Sequence, residues 1–184
     1  MLDYFTNTQL IVAGAALAIA IIAVVSYFFI RTTKTRGLRA RFGPEYDRAV
    51  AVHGSSREAE AKLADRETRV KSLGLRTLAN TERERFVAEW KTVQAHFVDQ
   101  PKSAVSEADV LISALLVALG YPKGGFEQSA ADISVSYPSL TEEYRLANAI
   151  AVRAGRADAS TEELRTAMIQ YRAIFDELVQ VQKA

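Results

Sequence analysis

Leu10-Ile-Val-Ala-Gly-Ala-Ala-Leu-Ala-Ile-Ala-Ile-Ile-Ala-Val-Val-Ser-Tyr-Phe-Phe-Ile30 runs without a charge or a proline. At about 1.5 Å of rise per residue, some twenty residues cover the roughly 30 Å hydrocarbon core of a bilayer. A backbone in lipid must satisfy its own hydrogen bonds, so the run predicts one continuous transmembrane helix over 10–30. The flanks argue for a retained anchor. Residues 1–9 carry Asp3 as their single charge, the apolar run exceeds a signal-peptide core, and Tyr27-Phe-Phe-Ile-Arg31 offers no small-residue cleavage site.

Orientation follows from the cations. Arg31, Lys34, Arg36, Arg39 and Arg41 follow the span and no Lys or Arg precedes it, which predicts a short extracytoplasmic tail over 1–9 and a cytoplasmic C-terminal side. Tyr4 and Phe5 at one end, and Tyr27 to Phe29 at the other, suit the aromatic belts of the two interfaces. The five cations in the juxtamembrane segment 31–42 are the candidate membrane-surface contacts, each worth about 1 kcal/mol near anionic headgroups, besides serving as the topology signal. The bilayer is thus the first expected partner.

The remaining 43–184 suffice for one modest domain. The 184-residue chain has 23 basic and 22 acidic side chains; without the five juxtamembrane cations and Asp3 these become 18 and 21, a net of −3. A mildly acidic domain is a poor match for nucleic acid, which selects a concentrated basic face. Cysteine is absent, excluding disulfides, thiolate nucleophiles and cysteine metal sites.

Apolar residues in this part recur mostly at three-four spacing, which predicts an all-α, bundle-like domain of about five or six helices. Gly43-Pro-Glu45 reads as a helix start, with Tyr46, Val50 and His53 on one face. Gly54-Ser-Ser56 bends or breaks what is otherwise one long charge-laced helix, which Gly74 ends. Thr81 and Glu84 have capping-box spacing ahead of the stripe Phe86, Trp90, Val93, Phe97. Asp99-Gln-Pro101 opens an apolar helix with Val105, Ala108, Ile112, Leu115 and Leu119 aligned, expected at the centre of the domain. After the loop Gly120–Gly125, helices are predicted over 127–135 and 139–154. A last helix, capped by Ser160 with Glu163, carries Leu164, Met168, Tyr171, Phe175 and Leu178, and the final residues 179–184 are expected to fray.

Chemistry-bearing patterns are sparse. His53 and His96 lack a partner at metal-ligand spacing. No nucleophile elbow, phosphate-binding glycine loop or His-Glu-x-x-His occurs. The pairs Glu142-Glu143, Glu162-Glu163 and Asp176-Glu177 lack the Glu-x-x-His of di-iron bundles, and two of them are placed by the pattern in first helical turns, where the dipole favours acids. Catalytic, cofactor-binding and metal-binding residues are therefore expected to be none. Phe42, Tyr46 and Trp90 are candidates for an exposed partner-binding surface, beside the alternative that they stabilise the chain entry and the core.

The string Arg41-Phe-Gly-Pro-Glu-Tyr-Asp-Arg-Ala-Val50, with Glu82–Phe86, Glu89-Trp90, Gln94–Asp99, Gly120-Tyr-Pro122 and Phe126-Glu-Gln128, resembles a family of uncharacterised bacterial membrane proteins. Those have one N-terminal span and a helical domain. The resemblance implies that architecture and no activity. Where the family pattern has Asp-His-Pro, this chain has Ser136-Tyr-Pro138, so no histidine role carries over. The expected function is a non-enzymatic scaffold or protein-interaction module at the cytoplasmic membrane surface, binding a protein partner or itself and no small-molecule substrate. The alternatives are an envelope accessory or stress factor with the domain outward, and an enzyme with an unrecognised site.

Overall fold

The structure, a computed structural model, describes residues 2–156 and 158–180. Its described residues form eight helices: α1 Leu2–Phe42, α2 Pro44–His53, α3 Ser56–Ser72, α4 Asn80–Asp99, α5 Pro101–Ala118, α6 Phe126–Ser136, α7 Pro138–Gly155 and α8 Thr161–Gln180. The chain divides into two units, Met1–Ala40 and Arg41–Ala184. The all-α class agrees with the sequence reading. The helix number does not: the second unit holds seven helices, α2–α8, against five or six expected.

The additional helix comes from a full break at Gly54. Its φ of 74° is a left-handed conformation, and its N–H donates to the Val50 carbonyl, closing α2. Ser55 then restarts the chain as N-cap of α3, its Oγ accepting from the Glu58 N–H at 3.2 Å. One charge-laced segment thereby becomes an α2–α3 hairpin.

Three prolines open helices, Pro44, Pro101 and Pro138. A residue before proline is disfavoured in the helical region by its clash with the proline ring. Gln100 and Tyr137 accordingly take nearly the same conformation, φ −134° with ψ 67° and 63°, each ending one helix and starting the next. Sharp corners therefore separate α4 from α5 and α6 from α7.

In the second unit α5 is central, packing against α4, α7 and α8. Ala104, Val105, Ala108, Ile112 and Leu115 on it are fully buried. Helices α7 and α8 pair beside it, α6 lies on α7, and the α2–α3 hairpin joins through α2 on α7 and α3 on α6. The large apolar core draws on α4–α8, Leu78 and Tyr121. Phe42, Tyr46, Ala49, Ala59 and Leu63 are buried outside that core.

At the end of α5, Tyr121 N–H donates to the Leu116 carbonyl and Gly120 N–H to that of Val117, a Schellman turn with Gly120 at φ 98°. A Cβ on Gly120 would stand 3.3 Å from the Gly74 carbonyl oxygen and from Leu75 Cα. The α3–α4 connection thus crosses directly over this glycine, tied there by the Arg76 N–H to the Leu119 carbonyl.

Two local expectations change. The cap of α4 uses Glu82, whose carboxylate accepts the Ala79 N–H at 2.9 Å, in place of Thr81 with Glu84; alanine offers no acceptor in return, so this is half a box. Glu162 and Glu163 do occupy the first turn of α8, but Glu142 and Glu143 lie beyond the first turn of α7. The reciprocal box at Ser160 and Glu163 forms as expected.

Candidate functional site

Helix α1 is the one described helix long and apolar enough to cross a membrane. It begins at Leu2, ahead of the apolar run, and continues through the basic segment to Phe42, so both flanks of the apolar run are helical. Its large apolar side chains stand outward: Ile11 is 72% exposed, Ile22 64% and Phe29 71%. The side chains of Tyr4, Phe5 and Tyr27 lie outside the described residues, as do 181–184 at the chain's end.

The five candidate membrane contacts differ in their surroundings. Arg41 pairs with Glu67 of α3 at 3.0 Å, so it ties its own unit together. Arg31, Lys34, Arg36 and Arg39 are exposed on α1. Arg31 and Arg36 flank a shallow groove of about 310 Å³ floored by Phe28, Thr32 and Thr35.

The three candidate partner residues are interior. Phe42 is 0% exposed, Tyr46 2% and Trp90 4%, so none presents a surface in this arrangement. Tyr46 donates its hydroxyl to Glu60 within the α2–α3 hairpin at 3.0 Å. Trp90 stacks on Phe175 of α8, centroids 4.9 Å apart and planes 13° from parallel. The periodicity that placed Trp90 in a stripe is the periodicity of a core face.

Two buried acids, Glu45 and Asp132, and the half-buried Asp109 are clasped across helices. Glu45 on α2 accepts from Arg66 on α3 and Arg145 on α7, both at 3.1 Å, and Arg145 also reaches Glu127 on α6 at 2.7 Å. Asp132 on α6 accepts from Arg69 on α3 at 3.1 Å and from Gln128 at 2.8 Å. Asp109 on α5 accepts the Tyr171 hydroxyl at 2.7 Å and the Asn148 amide at 3.2 Å. Burial pushes the Tyr144 phenol up to about 12 and also raises that of Tyr171, the Asp109 charge adding to both. Both phenols stay protonated, and that of Tyr171 is a fixed donor to Asp109. Sequence reasoning missed all three clasps, whose partners lie up to 100 positions apart.

An open groove of about 520 Å³ runs along α4 and α5. Its apolar side comes from Val93, Leu111, Ala114 and Val110, the last 68% exposed; Glu89, Glu107 and Ser103 form its polar edge. His96 Nδ1 stands 2.9 Å from Glu107 Oε2, and Ser103 donates to the other oxygen at 3.0 Å. The hydrogen bond with His96, and then that from Ser103, lowers the Glu107 carboxyl from its ordinary value. His53, half-buried at the end of α2, is remote in sequence from this edge. Among the described residues no three His, Asp and Glu side chains are grouped to hold a metal ion. No protein family, curated protein or solved structure matches the chain.

Proposed function

We propose that the chain is a single-pass membrane protein whose C-terminal helical unit is a non-enzymatic interaction module on the cytoplasmic face. The exposed apolar surface of α1 carries this reading. Isoleucine, valine and phenylalanine project on all sides from 11–29, a surface that lipid accepts and water does not. The cations beyond it favour the C-terminal side inward. The α4–α5 groove supports a docking role, because exposed apolar surface edged by polar groups suits a protein partner or a second copy. The acids inside the bundle are occupied in holding helices together, which supports a structural use for them.

The chain has no cysteine, so Ala173→Cys at an exposed position of α8 gives a single label site. A membrane-impermeant maleimide is expected to label it after permeabilisation and to leave intact cells unlabelled. Labelling of intact cells overturns the cytoplasmic assignment and favours an outward-facing accessory protein. A photoreactive residue at Val110 is expected to yield a discrete cross-linked species in membranes. An unchanged monomer band at that site overturns the docking role of the groove.

A further inference from the structure

We infer that the groove on α1 flanked by Arg31 and Arg36 binds the phosphate headgroup of an anionic lipid. The inference rests on the membrane-anchor reading and gives the basic end of that anchor a specific ligand. At about 100° per residue, Arg31 and Arg36 lie about 140° apart around the helix and flank the row formed by Phe28, Thr32 and Thr35. They are about 7.5 Å apart along the axis. Those five side chains line the groove of about 310 Å³. Thr33, Lys34 and Gly37 fall on the other side of the helix by the same count.

The chemistry of the groove is that of a lipid phosphate. Phe28 is exposed one turn towards the apolar run, where it meets the ester region and first methylenes. Thr32 turns its hydroxyl back onto the Phe29 carbonyl at 3.0 Å, which leaves the two guanidinium groups as donors to an anion. Arginine suits that task, because its planar fork donates two parallel hydrogen bonds to phosphate oxygens. No acidic residue occurs between Asp3 and Glu45 to compete for them within the segment. Arg41, held by Glu67, is already engaged. The cations after the span are therefore unequal, and the ligand is a headgroup phosphate seated on one helix face, beyond diffuse attraction to a charged surface.

The test uses the full chain reconstituted into nanodiscs of phosphatidylcholine, alone or with phosphatidylglycerol, and native mass spectrometry to count retained lipids. Retention of phosphatidylglycerol over phosphatidylcholine is expected, and R31Q/R36Q is expected to weaken it about tenfold or more, the loss expected for even one charge-assisted hydrogen bond. The variant R31T/T33R/R36G/G37R keeps the net charge but moves both arginines off the groove, and a comparable loss is expected. Full retention by that variant means diffuse electrostatics and overturns the inference. Displacement of the lipid by millimolar inorganic phosphate also overturns it, since the site would then read the free anion. Failure of the chain to enter phosphatidylcholine discs overturns the anchor reading with it. Entry without any lipid preference overturns this inference alone.

Discussion

Glu45 is nearly inaccessible, yet it accepts from two arginines on different helices. Removing one partner of a buried charge costs more than the pair contributes, because the remaining charge is left desolvated. With Arg66 still on Glu45, Arg145→Met is expected to lower the unfolding free energy by less than the ~3–5 kcal/mol of a wholly uncompensated buried charge, yet measurably. E45Q/R145M should recover part of that loss, because Arg66 and Glu127 both reach solvent. Urea unfolding followed by the fluorescence of Trp90, the single tryptophan, measures both; a double variant no more stable than R145M refutes the account. A second expectation concerns pH. The Arg76 guanidinium and the Ala79 N–H hold Glu82 down at about 2, and the Ser160 N–H and hydroxyl with Arg153 do the same for Glu163, against an ordinary 4.5. A carboxyl depressed on folding contributes stability that is complete above its unfolded value and lost as pH falls through its folded one. Glu82→Gln and Glu163→Gln should thus be less stable than the parent at pH 7, with the gap closing between about pH 4.5 and 2. Thermal melts across that range decide it, and a constant gap would count against the cap geometry.

The contact of Trp90 with Phe175 joins α4 to α8 by one stacked pair. Trp90→Ala removes that stack and leaves a cavity against the core, at an expected cost of about 3–5 kcal/mol. Near-parental urea stability, read by circular dichroism since the fluorophore is gone, would show that α4 is held by other contacts. The same pair shows what could be read in advance. Phe86, Trp90 and Val93 were visible as a stripe, and so were the faces of α5 and α8, because three-four periodicity is a local property of the chain. The partner of each stripe was not visible, since Trp90 and Phe175 lie in separate helices with α5, α6 and α7 between them in sequence. Pro101 and Pro138 announced corners through the restriction that proline puts on the residue before it. Gly54 was ambiguous, because a glycine inside a charged segment is tolerated as readily as it terminates. Its left-handed φ and the Ser55 cap settled the break in favour of a hairpin. Of the candidate sites, the apolar helix α1 was legible because some twenty contiguous apolar residues suffice to define a helix long and apolar enough to cross a membrane. The α4–α5 groove was not, since it depends on which side chains α5 turns away from α7 and α8.

Those two kinds of contact divide the second unit by stability. The bundle α4–α8 shares one apolar core. Tyr46, Ala49, Ala59 and Leu63 of the α2–α3 hairpin are buried outside it, and the hairpin meets α6 through Arg69 with Asp132 and α7 through Glu45 with Arg145. Apolar burial stabilises in proportion to area, whereas buried ion pairs roughly return the desolvation they cost. The hairpin should therefore open as a unit at lower free energy than the bundle, and its own buried side chains should make that opening cooperative. Native-state amide exchange on the full chain tests this directly. Amides of α2 and α3 are expected to exchange through a common opening well below the global unfolding free energy, while those of α5 exchange with global unfolding. Asp132→Asn removes the charge that Arg69 holds on α6, and Arg69, at 44% side-chain exposure, remains solvated. That variant should speed exchange in α2 and α3 and leave α5 and α8 at parental protection relative to global stability. Equal protection across hairpin and bundle, or acceleration spread evenly over both, would show that the clasps bind the seven helices into one cooperative unit.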